Sequence, residues 1–446
     1  MNQSKKNSKF ILTGTLTVIF SISAICQENP GAKSASQSDS LSLKPLIDQV
    51  ISTHPTVKAA EEALRNADTR IGLAKTGYYP FVDAGANFTN IGPVTKFTIT
   101  DLGTFQLYPE NNYSASVNYR QMIYDFGRTR TDIDIEKEGK ILEEKTLEQV
   151  KQKMALATIN NFYTLAFLQH AIKITDEQLS TLQAHLNYIE TLKSTGSATD
   201  YQVLSTKVRI STAQSLKSDL VAALAIQQAY LCSLTGKSNW APVVKEELDI
   251  PAPLVADDSL LNYAYNNRDE MAINREKVAL AELRYKLIKT LNNPFINAVV
   301  SGGGKNGYLP DLSQVKANYV AGVGISVPIF DGMKTKYNLL QAKSVINSLN
   351  FEDEGTRRNI TSDITEAKEY MIAAMQKEQQ FALQLDQAQE AYSLAEISFR
   401  SGTITNLELL DANTDVSQSR LLLLKSRIDY AVSIYRLKAA LGERLY

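Results

Sequence analysis

Residues 194–204 read STGSATDYQVL and residues 400–410 read RSGTITNLELL. Superposed, they set Gly196 on Gly402, Thr199 on Thr405 and Leu204 on Leu410, a constant offset of 206 positions. The same offset carries IYDFGRTRT at 123–131 onto IFDGMKTKY at 329–337, and the LTG ending at Gly236 onto the ALG ending at Gly442. One register held over more than a hundred residues implies a gapless duplication whose elements match in length. Upstream, GYYPFVDAG meets LNNPFINAV with Pro80 on Pro294, so the first copy carries eight more residues between its proline and its IYD.

Proline marks where the long elements lie. It is absent from 110 to 241 and again from 329 to the end. An interior proline costs a helix about 3 kcal/mol, so two such blocks predict long helices. Leu165, Leu168, Ile172, Leu179, Leu182, Leu186 and Ile189 fall at three-and-four spacing, as do Met371, Ala374, Phe381, Leu385, Ala388, Tyr392, Ala395 and Phe399. That is a coiled-coil seam in each copy. A continuous helix from about Arg128 to Ser194 would be roughly 100 Å long at 1.5 Å per residue. Gly196 and Gly402 supply the left-handed residue that ends a helix, and Thr199 or Asp200, with Thr405 or Asn406, can cap the one that returns. The quoted stretches are therefore the turns of two long antiparallel helical hairpins.

The strands lie before the long helices. Tyr113, Ala115, Val117, Tyr119 and Ile123 alternate with polar neighbours, and Tyr319, Ala321, Val323, Ile325 and Val327 keep the parity. Val82, Ala84, Ala86 and Phe88 alternate in the first copy, and Ile296, Ala298 and Val300 in the second. Each half offers one hairpin of strands about ten residues long, the length of a tilted membrane-spanning strand. Four strands cannot close a membrane barrel, for which about eight is the minimum, so strands that span a bilayer must be shared among several chains.

The N-terminus sets the compartment. Lys5, Lys6 and Lys9 precede an apolar run from Phe10 to Ile25, and the small residues of SISAIC lead into polar QENPGAK. This is the layout of a secretory signal peptide over 1–26. Ile25 stands where a lipid-acceptor cysteine wants a small residue, which weighs against lipidation of Cys26. Cleavage near Gln27 would leave Cys232 without an intrachain partner. The expected organisation continues with a disordered lead-in over 27–42, a first structural repeat over 43–240, a linker over 241–256 and a second repeat over 257–446.

Several chemistries find no support. With 47 basic against 48 acidic residues in 446, no bulk charge points to nucleic acid. SGGGKNG at 301–307 lacks the spacing of a phosphate loop and follows a hairpin strand. His54, His170 and His185 lack metal-ligand spacing and read as ordinary helix residues. No nucleophile elbow or Cys/His pair stands out. The chain is read as a non-enzyme with no cofactor and no metal centre.

The duplicated plan, VPIFDGMKTKYNLLQA at 327–342 and SGTITNLELLDA at 401–412 resemble the TolC-like outer-membrane channels, also called outer membrane efflux proteins. The resemblance runs from about Leu41 to the C-terminus. It implies a mainly α fold with β: a duplicated repeat, four strands per chain in a transmembrane β-barrel shared within a homotrimer, and a long α-helical coiled-coil barrel across the periplasm. The implied function is a passive exit channel of a tripartite efflux or type I secretion system in the outer membrane. Its partners would be outer-membrane lipid, a periplasmic adaptor (membrane fusion protein) and an inner-membrane pump.

Glu408 and Asp411 have two readings. Carboxylates in the first turns of a helix suit its positive end. The resemblance implies instead that they line the periplasmic entrance as a cation-preferring ring that multivalent cations can block. Ile404 stands where some relatives carry a basic residue for gate-closing links, so those links do not transfer. The turns Thr195-Gly196-Ser197 and Ser401-Gly402-Thr403 are the expected adaptor-docking tips. A periplasmic coiled-coil adaptor and a structural envelope protein stay open as alternatives, though neither requires two alternating-strand hairpins.

Overall fold

The computed structural model describes residues 40–101, 103–238, 240–244 and 260–446. The signal peptide and most of the lead-in and linker lie outside these. In chain order the elements are β1 (Ser40–Leu41), α1 (Leu43–Thr53), α2 (Pro55–Lys75), β2 (Phe81–Asn90), β3 (Lys96–Ile99), β4 (Gly103–Gln106), β5 (Asn111–Tyr124), α3 (Arg128–Ser194) and α4 (Asp200–Thr235). They continue with β6 (Val243–Val244), α5 (Leu260–Asn267), α6 (Asp269–Thr290), β7 (Phe295–Lys305), β8 (Lys316–Ser326), α7 (Lys334–Arg400) and α8 (Asn406–Leu441).

The duplication is visible in the helices. α3 and α7 are each 67 residues long, and α4 and α8 each 36, with both ends displaced by the same 206 positions. The turn from strand to long helix is also repeated. Phe126 and Gly127 have positive φ (53° and 93°), and so do Gly332 and Met333 (68° and 65°) at the equivalent positions. Glycine relieves only one site of each pair, and the two copies choose different ones. The preceding aspartate holds both turns: Asp125 accepts from the Thr129 N–H at 2.7 Å, and Asp331 from the Thr335 N–H at 2.8 Å. The Asp of IYD and IFD thus ties its strand to its helix.

β2, β5, β7 and β8 form one antiparallel sheet in that order. Val82, Ala84, Ala86 and Phe88 sit opposite Tyr119, Val117, Ala115 and Tyr113, which puts the alternating apolar residues on one face. A bulge between Met122 and Tyr124 breaks the parity, so Tyr124, not Ile123, pairs with Ile296. The extra length of the first copy lies largely in the β2–β5 connection. It folds into the small hairpin β3–β4, with Phe97 and Phe105 stacked at 5.8 Å.

The helices continue the sheet's order. α2, α3, α6 and α7 lie side by side, as do the strands β2, β5, β7 and β8 that they join. Farther from the sheet the order is α4, α3, α8, α7. The layer is open, with α3 and α8 inside it and α7 along one edge. Burial follows from this. α3 buries residues along most of its length, from Thr131 to Ile189, while α7 buries Ile360, Ile364, Ala367, Met371 and Ala374 near its middle. The seam anticipated from Phe381 to Phe399 is half-buried, because that part of α7 has a neighbour on one side alone.

Two short strands alter the expected boundaries. Ser40 and Leu41, the end of the anticipated lead-in, pair in parallel with Val243 and Val244 of the anticipated linker. Leu41 and Val244 join a cluster with Leu46, Ile47, Ala155 and Phe162. Apolar residues bounding polar segments are drawn into the core.

Candidate functional site

Both hairpin turns close in the same way. Gly196 and Gly402 each have φ of 78°. The Ser197 N–H donates to the Leu192 carbonyl at 2.8 Å, and the Thr403 N–H to the Ser398 carbonyl at 3.0 Å, the crossed bond of a glycine-terminated helix. Thr195, Gly196, Ser197, Ser401, Gly402 and Thr403 are all exposed. Thr199 and Thr405 then cap the returning helices, each in a reciprocal box with the residue three positions on, Gln202 or Glu408.

Glu408 is therefore a capping residue. Its Oε2 accepts from the Thr405 N–H at 2.6 Å and shares a 2.8 Å hydrogen bond with the Thr405 hydroxyl. These bonds, the backbone one first, hold its carboxyl below the usual carboxylate range. Asp411, one turn on, accepts from the Arg209 guanidinium of α4 at 2.5 Å. The two carboxylates are exposed residues of one helix, yet each is committed to a different partner.

Beside them lies a buried polar node. Asn406 is 3% exposed. Its Oδ1 accepts from His185 Nε2 of α3 at 2.6 Å, and its Nδ2 donates to Ser205 Oγ and Thr206 Oγ1 of α4 at 3.3 and 3.4 Å. Leu410 packs in the same region with Leu182, Leu186, Ile189, Val203 and Ile210. The node joins the two hairpins just above their turns, and it gives His185 a task that its sequence position did not suggest. Of the other histidines, His54 caps α2 by accepting from the Thr56 N–H at 3.2 Å, and His170 lies 2.8 Å from the Ala166 carbonyl. Of the two candidate caps, Thr405 and Asn406, Thr405 fills that role, and the partners of Asn406 lie more than 190 residues away in sequence.

At the opposite end, the sheet has a polar face and an apolar one. On the first, Asp83 accepts from Asn118 at 2.9 Å and from Arg120 at 2.6 Å, while Ser301 donates to Asn118 at 2.9 Å. On the second, Tyr319, Val323 and Ile325 are 84%, 73% and 69% exposed. Tyr78, Tyr79, Phe81, Tyr124, Phe126 and Phe330 crowd the junction of sheet and helices, also exposed. An outward apolar band bounded by aromatics is the surface of a bilayer-spanning strand. No described helix is long and apolar enough to cross a membrane.

Known proteins agree with this arrangement. The pattern of the family described as "Outer membrane efflux protein" matches residues 46–237 and 260–443. The toluene efflux pump outer membrane protein TtgC of Pseudomonas putida is 24% identical over 356 residues, covering 75% of this chain and 70% of its own. The outer membrane protein TolC of Escherichia coli is 20% identical over 432 residues, covering 92% of this chain and 84% of its own. The crystal structure of VceC of Vibrio cholerae superposes with a TM-score of 0.72 at 16% identity, over 91% of this chain and 97% of that one. The adaptor and structural-protein alternatives account for the long helices but not for the four-stranded sheet. A duplicated frame, strands with an apolar outer face and two long helical hairpins matched by one pattern across both repeats place this chain in the outer membrane efflux protein family, as an exit channel of the outer membrane.

Proposed function

We propose that three copies of the chain close into one conduit, a twelve-stranded barrel continued by a tunnel of helices. The observation that carries this is a pair of open edges. Among the described residues, β2 and β8 each pair on one side only, and sheet edges in a bilayer must be satisfied. The helical layer ends at α7 on the β8 side, where Phe351 and Ile397 are 73% and 64% exposed. It ends at α4 on the other, where Tyr201, Leu204, Val208 and Ile226 are also exposed. Joining the far part of one copy's α7 to the next copy's α4, and the part beside the sheet that bears Phe351 to its α2, covers both edges, as joining β8 to β2 closes the sheet.

The partners follow from the ends of this conduit. The apolar face of the sheet meets outer-membrane lipid. The exposed turns at Thr195-Gly196-Ser197 and Ser401-Gly402-Thr403 meet a periplasmic adaptor, which links the channel to an inner-membrane pump. Threefold closure would gather Glu408 and Asp411 into a ring of about six carboxylates at the narrow end, with an Arg209 guanidinium beside each Asp411, and the net negative charge that remains focuses the potential and favours cations. Multivalent cations would block it from the periplasmic side, with affinity falling as salt rises. In planar bilayers the purified protein should form cation-selective pores that such cations close from one side. Channels formed at protein levels where only single chains exist, or equal block from both sides, would contradict the proposal.

A further inference from the structure

The acids of the second tip carry unequal free charge. Glu408 is held in its capping box, and Asp411 lies against the Arg209 guanidinium at 2.5 Å. Asp415 is exposed one turn farther along α8, and among the described residues its side chain has no ion pair or hydrogen bond. At the 206-position offset, Asp415 is the counterpart of Arg209 itself. Equivalent sites of the two repeats thus bear opposite charges, and the arginine of the first copy turns to Asp411 instead of to its own counterpart. Arg209 makes no other ion pair among the described residues.

We propose that Arg209 is a specificity-determining residue of the channel. An ion pair this close presents a dipole, whose field falls off faster with distance than that of a lone carboxylate. Arg209 therefore removes Asp411 from the charge that a passing ion meets, and Asp415 with Glu408 supplies what remains. This rests on the proposed reading that this face of α8 borders the lumen. A unit charge about 10 Å from an ion in water changes its local concentration roughly twofold, and threefold closure would repeat each change three times.

The test is the reversal potential of single channels in planar bilayers under a potassium chloride gradient. It reports the ratio of cation to anion permeability, whatever the fraction of time the pore is open. R209Q should raise that ratio about twofold or more, D411N should lower it by uncovering Arg209, and the R209Q/D411N pair should return it close to the parent value. R209K, which keeps the charge, should also stay close to the parent, and D415N should lower the ratio. A shift with R209K as large as with R209Q would overturn the proposal, since packing and not charge would then be responsible. If E408Q and D415N shift the ratio while R209Q does not, Arg209 plays no part in selectivity and the lumenal reading stands. If none of these variants shifts it, the face does not border the lumen and both fall.

Discussion

The turn between α3 and α4 and the turn between α7 and α8 have the same φ at glycine, the same crossed hydrogen bond and the same threonine cap. Their side chains have gone separate ways. Where the first has Asp200, Gln202, Ser205 and Arg209, the second has Asn406, Glu408, Asp411 and Asp415. Asp200 is exposed and reaches back to Lys193 across its own turn, whereas Asn406 is buried and holds α3 and α4 to α8. Duplication copied the backbone rules, which are local, and left each copy's contacts to be set by its place in the layer. The first hairpin supplies the arginine and the histidine, and the second supplies the groups that receive them.

The largest expected difference between the copies lies at the far ends of the returning helices. Gly236 and Gly442 are equivalent, with φ of 71° and 82°. A Cβ on Gly236 would meet nothing within 4 Å, while one on Gly442 would lie 2.7 Å from the Asn267 carbonyl carbon and 2.8 Å from the Arg268 nitrogen. Gly236→Ala should cost about 1 kcal/mol, for its positive φ. Gly442→Ala should cost about 3 kcal/mol, because backbone must also move. Thermal midpoints of the two variants, followed by circular dichroism, should separate clearly, and equal midpoints would remove the α5–α6 contact as the cause.

A smaller contrast is expected at the tips. Asn406→Ala leaves the His185 N–H without its acceptor and should cost about 2 kcal/mol. Asp200→Ala breaks a pair whose acid is 79% exposed and should cost less than about 1 kcal/mol. Hydrogen exchange at the start of α8 and of α4 reads each change locally. Faster exchange at α4 than at α8 would invert the assignment of the node.

The smallest contrast depends on pH. Glu138 on α3 meets Glu276 on α6, and the hydrogen bond between the two, with burial and repulsion added, pushes the Glu138 carboxyl up to about 7. Its counterpart in the second copy is Ser344, which has no charge to repel. The folded chain keeps this proton at a pH where the unfolded chain has lost it. The contribution to stability is therefore full below about pH 4.5 and disappears as pH rises through about 7. Both acids are half-buried and still reach water, which screens the interaction, so the effect should stay at about 1 kcal/mol. Thermal midpoints should fall slightly from pH 5 to 8 in the parent and stay flat in Glu138→Gln. A parent that gains stability over this range would mean the two acids do not share a proton.

Much of the fold could be read before the structure because its signals are local. Glycine, proline and threonine spacing located both turns, and the constant offset carried the length of α3 onto α7. What depended on neighbours was hidden. The seam of α7 from Phe381 to Phe399 resembles that of α3 in sequence, but edge position leaves it half-covered. The β3–β4 hairpin has a weak local signal in Phe97 and Ile99 with Asp101 and Gly103 at the turn, and the eight extra residues of the first copy do not by themselves tell a hairpin from a loop. At the candidate site, the helix-start position of Glu408 was legible and its capping role follows from it. The Asp411–Arg209 pair joins residues 202 positions apart, and nothing in either segment alone announces the other.

On the proposed reading one chain is an open third of the conduit, and its α7 edge fits the α4 edge of another copy. Cysteines at Leu204 on α4 and Ile397 on α7, in a chain with Cys232 replaced by serine, place one thiol on each edge at similar distances from the turns. Mild oxidation of outer-membrane fractions should then give a ladder of two and three linked chains that ends at three, with neither single cysteine alone producing it. Cross-links confined to single chains, or a ladder that runs on past three, would contradict the account.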